Sequence, residues 1–389
     1  MIDVLIADDH ELVRRGLRMT IAGERDMRLV GEARNGREAV ALAVTAHPTV
    51  VLLDIQMPEM VAHAAQTRDR WHDGAIINMD QAMMQLTLAI VAKTLFDAEV
   101  ADEGAAISVA ISVLMRLMPI RMLPFADQIK HLPIPAMQRL RQARVQLDTT
   151  IERLIAEHRA TGDRGDMLSL LLAQQGDMAL SDRQVRDEAL TLFLAGHETT
   201  ANALTWTWHL LAQHPEVQAA LHHELAQVLG SRLPTSDDVA RLPHTRMVLA
   251  EALRLYPPAW AIGRRAVADV QIGGYTIPAG ATVVASPYVM HRDPRYYPDP
   301  QRFDPQRWQD AETKLRPKFA FFPFGGGTRM CIGEQFAWME GVLLLATIAQ
   351  QWRMHPVPEH PVALQARITL RPKYGVRLRL EQRCGSTQH

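Results

Sequence analysis

The sequence predicts a mainly α-helical protein with a small β-region, preceded by a short α/β segment. Three observations carry this. Long stretches repeat apolar residues at helical spacing, as in Asp187–Gln213 with Leu190, Phe193, Leu194, Leu204 and Leu211. Short runs broken by Gly273-Gly274-Tyr275 and Pro278-Ala279-Gly280 read as hairpin strands within Val270–Ala285. Before residue 60, strands and helices alternate, which implies a parallel, doubly wound sheet.

In chain order, Ile2–Ala7 is an apolar strand running into Asp8 and Asp9, and Glu11–Ala22 follows with helical periodicity. Arg28–Ala33 reads as a strand, Gly36–Ala46 as a helix, and Val50–Leu53 as a strand ending at Asp54. Such a sheet brings Asp8, Asp9 and Asp54 together at its carboxyl edge, where three carboxylates suit Mg²⁺. From Val61 to Trp71 the pattern is again helical. Helices are also expected over Met79–Phe96, Ala136–Arg159, Met167–Gln174 and Pro215–Leu229. Glu251 and Arg254, three apart, share a helix face that Pro257 and Pro258 terminate. His291–Pro305 has no periodicity and reads as an ordered loop, and Arg367–Leu380 as closing strands.

Composition narrows the function. With 389 residues, 48% of them hydrophobic, the chain can bury a large core. A net charge of -1 offers no global field for nucleic acid. The apolar runs are too short for a membrane span, and the start lacks a signal-peptide pattern, so a cytoplasmic location is expected. Only 2 cysteines are present, which excludes a disulfide framework and a four-cysteine zinc site. His222-His223 lacks a third ligand and reads as an exposed helix face. The 19 methionines read as core filler, with Met115, Met118 and Met122 candidates for an adaptable apolar pocket.

Chemistry concentrates in Phe322–Gly333, which reads Phe-Pro-Phe-Gly-Gly-Gly-Thr-Arg-Met-Cys-Ile-Gly. The glycines allow a tight turn and close approach to a flat cofactor. Helical pattern resumes at Glu334, so Cys331 sits at a helix N-terminus, where dipole and free amides are expected to favour a thiolate. A second constellation, Ala195-Gly196-His197-Glu198-Thr199-Thr200, interrupts an apolar helix with polar groups that are costly to bury unpartnered.

Phe324, Gly327, Arg329, Cys331 and Gly333 resemble, position by position, the haem-ligand signature of the cytochrome P450 superfamily. The resemblance covers about Val61 to Gln382, with all landmarks in family order. It implies a helical domain plus small β-region holding haem b. Cys331 would be the axial ligand of the iron, a ligand that favours O–O cleavage. Phe324 would cover the sulfur, and Arg329 and Arg264 would reach propionates. Thr199 and Glu198 would deliver protons to the dioxygen being activated, with Ala195 and Gly196 leaving room for it. Glu251, Arg254 and Arg307 would form a buried network beneath the cysteine loop, and Leu117–Pro135 would be a lid. No reductase is fused, so NAD(P)H-derived electrons would come through a ferredoxin or flavodoxin-type donor. The implied reaction inserts one oxygen atom of O₂ into a small organic substrate.

Residues 1–60 resemble a partial response-regulator receiver, a flavodoxin-like α/β fold, on Asp8, Asp9 and Leu52-Leu53-Asp54-Ile55-Gln56-Met57-Pro58. The later strands, the hydroxyl residue and the lysine of that family have no counterpart, so Mg²⁺ and phosphotransfer are not expected there. Nor does residues 61–389, the oxygenase portion, carry counterparts of that family's first helices. A phosphorelay module acting through Asp54, or an inactive fusion product, is the alternative.

Overall fold

The computed structural model describes the chain except residues 1, 8–13, 15–16, 19–20, 23, 25, 35, 54–57, 99–103, 118–133, 174–179, 310–314 and 384–389. Asp8, Asp9, Asp54, Met118, Met122 and Cys384 therefore lie outside the described residues, with most of Glu11–Ala22 and of the expected lid. The Met115 side chain is likewise outside them.

Two units are formed. The first comprises Met1–Met60 and Thr87–His197. Its strands β1 (Ile2–Ala7), β2 (Met27–Ala33) and β3 (Val50–Leu53) pair in parallel in the order β2-β1-β3. Alternation along β1 sorts its side chains to two faces. Leu5 packs with Val40 and Ala43 of α1 (Gly36–Ala46), whereas Val4 and Ile6 pack with Ile21. Three strands alone would bury too little apolar area to hold. Here Leu170 and Met167, from a helix more than a hundred residues further along the chain, join the Leu5 face.

The same unit holds a second core of helices. Leu88, Val91, Leu95 and Phe96 meet Ile107 and Ile111, Leu147, Ile151 and Leu154, and Val185, Ala189 and Phe193. Phe96 and Phe193 pack with ring centroids 5.7 Å apart. A buried pair closes one end: His158 Nε2 lies 2.6 Å from Asp166 Oδ2, and Nδ1 lies 2.8 Å from Leu154 O. A carbonyl can only accept, so Nδ1 donates to it, and the Asp166 carboxylate, held below its usual range against burial by the hydrogen bonds of His158 and Ser169, accepts from Nε2.

The second unit comprises Val61–Leu86 and Glu198–His389. Its largest sheet is antiparallel, Ile76–Asn78 against Arg377–Gln382 against Trp352–Pro356. The expected hairpin forms across Gly273-Gly274, where Val270–Ile272 pairs with Tyr275–Ile277, whereas Thr282–Ala285, after Pro278-Ala279-Gly280, pairs with Ile262–Arg265. Glycines 273 and 274 take left-handed φ of 57° and 84°, which the tight turn requires. The closing strands expected over Arg367–Leu380 are Leu370–Pro372 and Arg377–Gln382, and Gly375 (φ 73°) turns the chain between them. One long helix, Asp182–Gln213, contributes residues to both units. No described helix is long and apolar enough to cross a membrane.

Candidate active site

Glu251 and Arg254 lie in the helix Pro243–Leu255, both fully buried, and the structure brings Arg307 to them. The Glu251 carboxylate accepts from Arg254 Nε and Nη2 at 2.8 and 2.7 Å and from Arg307 Nε at 3.0 Å. Asp304 N and Trp308 Nε1 donate to it at 3.0 and 2.8 Å. Spare guanidinium protons go to carbonyls. Arg254 reaches His291 O and Pro300 O, and Arg307 reaches Pro298 O at 2.7 Å. One carboxylate thus organises the whole His291–Pro305 loop, which has no regular hydrogen-bond ladder of its own.

From this network the connection runs directly to the cysteine loop. His291 is fully buried, and its Nε2 accepts the backbone N–H of Phe322 at 2.9 Å. An accepting Nε2 requires the neutral ring with its proton on Nδ1. Burial pushes the His291 pKa down to about 3, and the neighbouring Arg254 adds to the effect. Sequence reasoning did not find this residue: its partner is a backbone amide 31 positions away, and no motif marks it.

Past Phe322 the loop is closed by backbone bonds. Gly325 N donates to Phe322 O, Cys331 N to Phe324 O and Met330 N to Gly327 O, each at 3.0 Å. Gly325 and Gly327 adopt left-handed φ of 76° and 71°. At Gly326 a Cβ would fall 2.6 Å from the Phe319 ring, so a larger residue would displace one loop wall. Phe324 rests on Trp338, with ring centroids 5.7 Å apart.

Cys331 is exposed. The expectation that its helix N-terminus lowers the thiol pKa needs correcting. Surrounding protein bulk pushes it up; the Gly333 N–H opposes this, and the Glu334 carboxylate adds to the rise. Ligation to a metal ion would override that rise, because a coordinating thiol is deprotonated outright.

The surroundings fit haem. The chain neighbours of Cys331 are exposed apolar residues, Ile332 at 87% and Met330 at 50%, and Phe319, whose ring lies against Gly326 of the same loop, is 54% exposed. Arg264 and Arg329 are exposed and carry no ion pair among the described residues; Arg264 donates only to the adjacent Gly263 O. A flat apolar ring bearing two carboxylates would satisfy both features.

In the long helix, Glu198 is 1% exposed and Thr199 half-buried. Glu198 is held by Arg371 and Thr369, which sequence reasoning did not find. At Gly196 a Cβ would lie 3.0 Å from Val91 Cγ2, so its smallness also serves close contact with the helix Met79–Phe96. His222, expected on an exposed face, is buried. Its ring is held neutral by burial, with a pKa pushed down to about 3, while His223 is exposed. No metal-binding group of three or more His, Cys, Asp or Glu occurs among the described residues.

Three buried neutral histidines make stability fall in acid. Their folded pKa values lie below the ordinary 6.5, at about 3 for His291 and His222 and about 4 for His209. Their contribution is therefore present above pH 6.5 and is lost as pH falls toward 3. Each costs up to about 1.4 kcal/mol per pH unit in that window. Urea midpoints at pH 7 and pH 5 check this, and His291→Gln should flatten the slope by one such increment.

The matches to known proteins agree with this geometry. The family model described as Cytochrome P450 matches residues 32–377. Cyclooctatin synthase of Streptomyces melanosporofaciens is 40% identical over 294 residues, covering 74% of this chain and 64% of the relative. Pentalenene oxygenase of Streptomyces avermitilis is 38% identical over 332 residues, covering 83% of this chain and 73% of the relative. The chain thus spans under two thirds of the first relative's length and nearly three quarters of the second's. Among solved structures, the cytochrome P450DA heme domain superposes with a TM-score of 0.75 at 28% identity, covering 86% of this chain and 74% of that one. The cysteine loop, the buried network behind it and a family match across most of the sequence converge: the chain belongs to the cytochrome P450 family.

Proposed function

We propose that this chain binds haem b through Cys331 and acts as a monooxygenase on a small apolar organic substrate. The observation that carries the reading is the exposed thiol of Cys331, on a loop tied to a fully buried ion network. Pentalenene oxygenase, among the relatives, points to the substrate class by its name. Bound haem would supply the activation of dioxygen. The chain's own residues do the rest. Gly325 and Gly327 turn the loop so that the thiol faces outward. Arg264 and Arg329 hold the propionates, and Phe324, braced on Trp338, would cover the sulfur of the ligated cysteine. Glu198 and Thr199 pass protons along the long helix, general acid chemistry suited to a carboxyl and a hydroxyl. Electrons derived from NAD(P)H arrive through a separate ferredoxin or flavodoxin-type protein.

Residues 1–60 are proposed as the receiver-like fragment and 61–389 as the oxygenase portion. Three parallel strands support the first assignment, although the family match already begins at residue 32.

The carbon monoxide difference spectrum of the dithionite-reduced protein tests the reading. A strongly red-shifted Soret band is expected for the native chain and its loss for Cys331→Ala. A native chain that takes up no haem, or shows a Soret band of a neutral ligand, would overturn it and leave an inactive fusion product.

A further inference from the structure

The long helix Asp182–Gln213 meets the strand Leu370–Pro372 along one face, through residues four apart. Glu198 Oε1 accepts from Thr369 Oγ1 and from Arg371 Nε at 2.9 Å. Arg371 Nη2 lies 2.8 Å from the same oxygen, as an ion-pair contact without hydrogen-bond geometry. One turn on, Asn202 Nδ2 donates to Thr369 Oγ1 at 3.3 Å; another turn on, Trp206 Nε1 donates to Leu370 O at 3.1 Å. The Thr369 hydroxyl has a single proton, which goes to Glu198, so it must accept from Asn202. The strand is anchored independently: Leu370 N donates to Pro258 O, and Trp260 Nε1 to Arg367 O.

This arrangement divides the Glu198 carboxyl into two unlike halves. Oε1 carries every contact just named, whereas Oε2 is buried with no hydrogen-bond partner among the described residues. A second carboxyl shares the guanidinium's field. Asp80, at the start of the helix Met79–Phe96, is pushed up by burial; Arg371 partly counters this and Glu198 adds to it. One cation thus serves two acids, and its bonds go to Glu198.

We propose that Arg371 is a positioning residue for proton delivery: it holds Glu198 as a carboxylate by Oε1 and leaves Oε2 to take up and release the proton. The inference rests on the monooxygenase reading above. A proton from solvent adds to Oε2 and neutralises Glu198. Its departure toward Thr199 restores the carboxylate beside Arg371, and no electron moves. Thr369 and Asn202 keep the carboxyl from rotating, so the same oxygen is presented at each turnover.

The test uses the haem-loaded protein and its Arg371→Gln, Arg371→Lys and Thr369→Val variants. Infrared titration of carboxyl groups gives a readout independent of turnover. At neutral pH, Arg371→Gln should show a protonated carboxyl band that native protein lacks. The band should vanish in Arg371→Gln/Glu198→Gln, persist in Arg371→Gln/Asp80→Asn, and be absent in Arg371→Lys. During turnover, the share of consumed oxygen released as hydrogen peroxide should rise several-fold in Arg371→Gln and return toward native in Arg371→Lys. Should the glutamine variant not fold, Thr369→Val should give a smaller rise in peroxide with the Soret band unchanged. A haem-loaded Arg371→Gln protein without the new band, or a Thr369→Val protein with native peroxide release, would overturn the role of Arg371 alone. Native protein that takes up no haem would overturn the monooxygenase reading itself.

Discussion

Glu251→Gln is expected to destabilise the protein by about 3–5 kcal/mol and to abolish stable haem retention, because it removes the one anion between two buried guanidiniums. Arg254 is fully buried and Arg307 nearly so. In the native protein their charges are balanced by five hydrogen bonds converging on Glu251, from Arg254 Nε and Nη2, Arg307 Nε, Asp304 N and Trp308 Nε1. Glutamine keeps the shape but offers a single accepting oxygen, and its NH₂ group would point at a donor. Arg254 then loses its hold on His291 O and Pro300 O, and His291 is what receives the Phe322 amide at the head of the cysteine loop. Urea unfolding and the haem-to-protein ratio measure the two effects. Arg254→Lys makes the control: it retains the charge but cannot span both Glu251 oxygens and the carbonyls, so an intermediate loss is expected. A Glu251→Gln protein with native stability would show that the network is incidental.

What was legible in the sequence follows from how local each interaction is. The cysteine loop could be read because its glycines, Phe324 and Cys331 lie within a few residues of one another. Glu251 and Arg254 could be paired because three residues is one helical turn, and Arg307 joined them through the family resemblance. His291 and Phe322 are separated by 31 residues, and Arg371 and Glu198 by 173. Such pairings depend on where strands and loops dock, and no periodicity records that. The spacing of Glu198, Asn202 and Trp206 was a usable signal: three hydrogen-bonding side chains at intervals of four imply a partner along that face. The support of β1 by Leu170 and Met167 was similarly invisible, since each segment reads as complete by itself.

Glu340→Gln is expected to stabilise the protein, by about 3 kcal/mol at pH 7, and the gain should vanish in acid. Glu340 is fully buried in the helix Glu334–Ala349, where Gly341, Val342, Leu343 and Leu344 follow it, an acid placed within an apolar run. Burial pushes its pKa up to about 8, with the Thr200 side chain drawing it slightly back. Neither carboxyl oxygen has a hydrogen-bond partner among the described residues, so Thr200 acts through proximity more than through a well-formed bond. The sign follows from linkage. The ordinary value of 4.5 applies to the unfolded chain, and the folded value is higher, so folding favours the protonated acid. Its contribution is intact below pH 4.5 and is lost as pH rises through about 8. Glutamine has nearly the same shape and no proton to lose, so it escapes this penalty. Urea midpoints of both proteins should therefore coincide near pH 4.5 and separate steadily up to pH 8. A gap that does not change with pH would mean that Glu340 is ionised in the folded protein and neutralised by a partner outside the described residues. At neutral pH the acid opposes folding while the buried histidines support it, so the two groups pull the stability optimum in opposite directions. Removing the acid alone should shift that optimum toward higher pH.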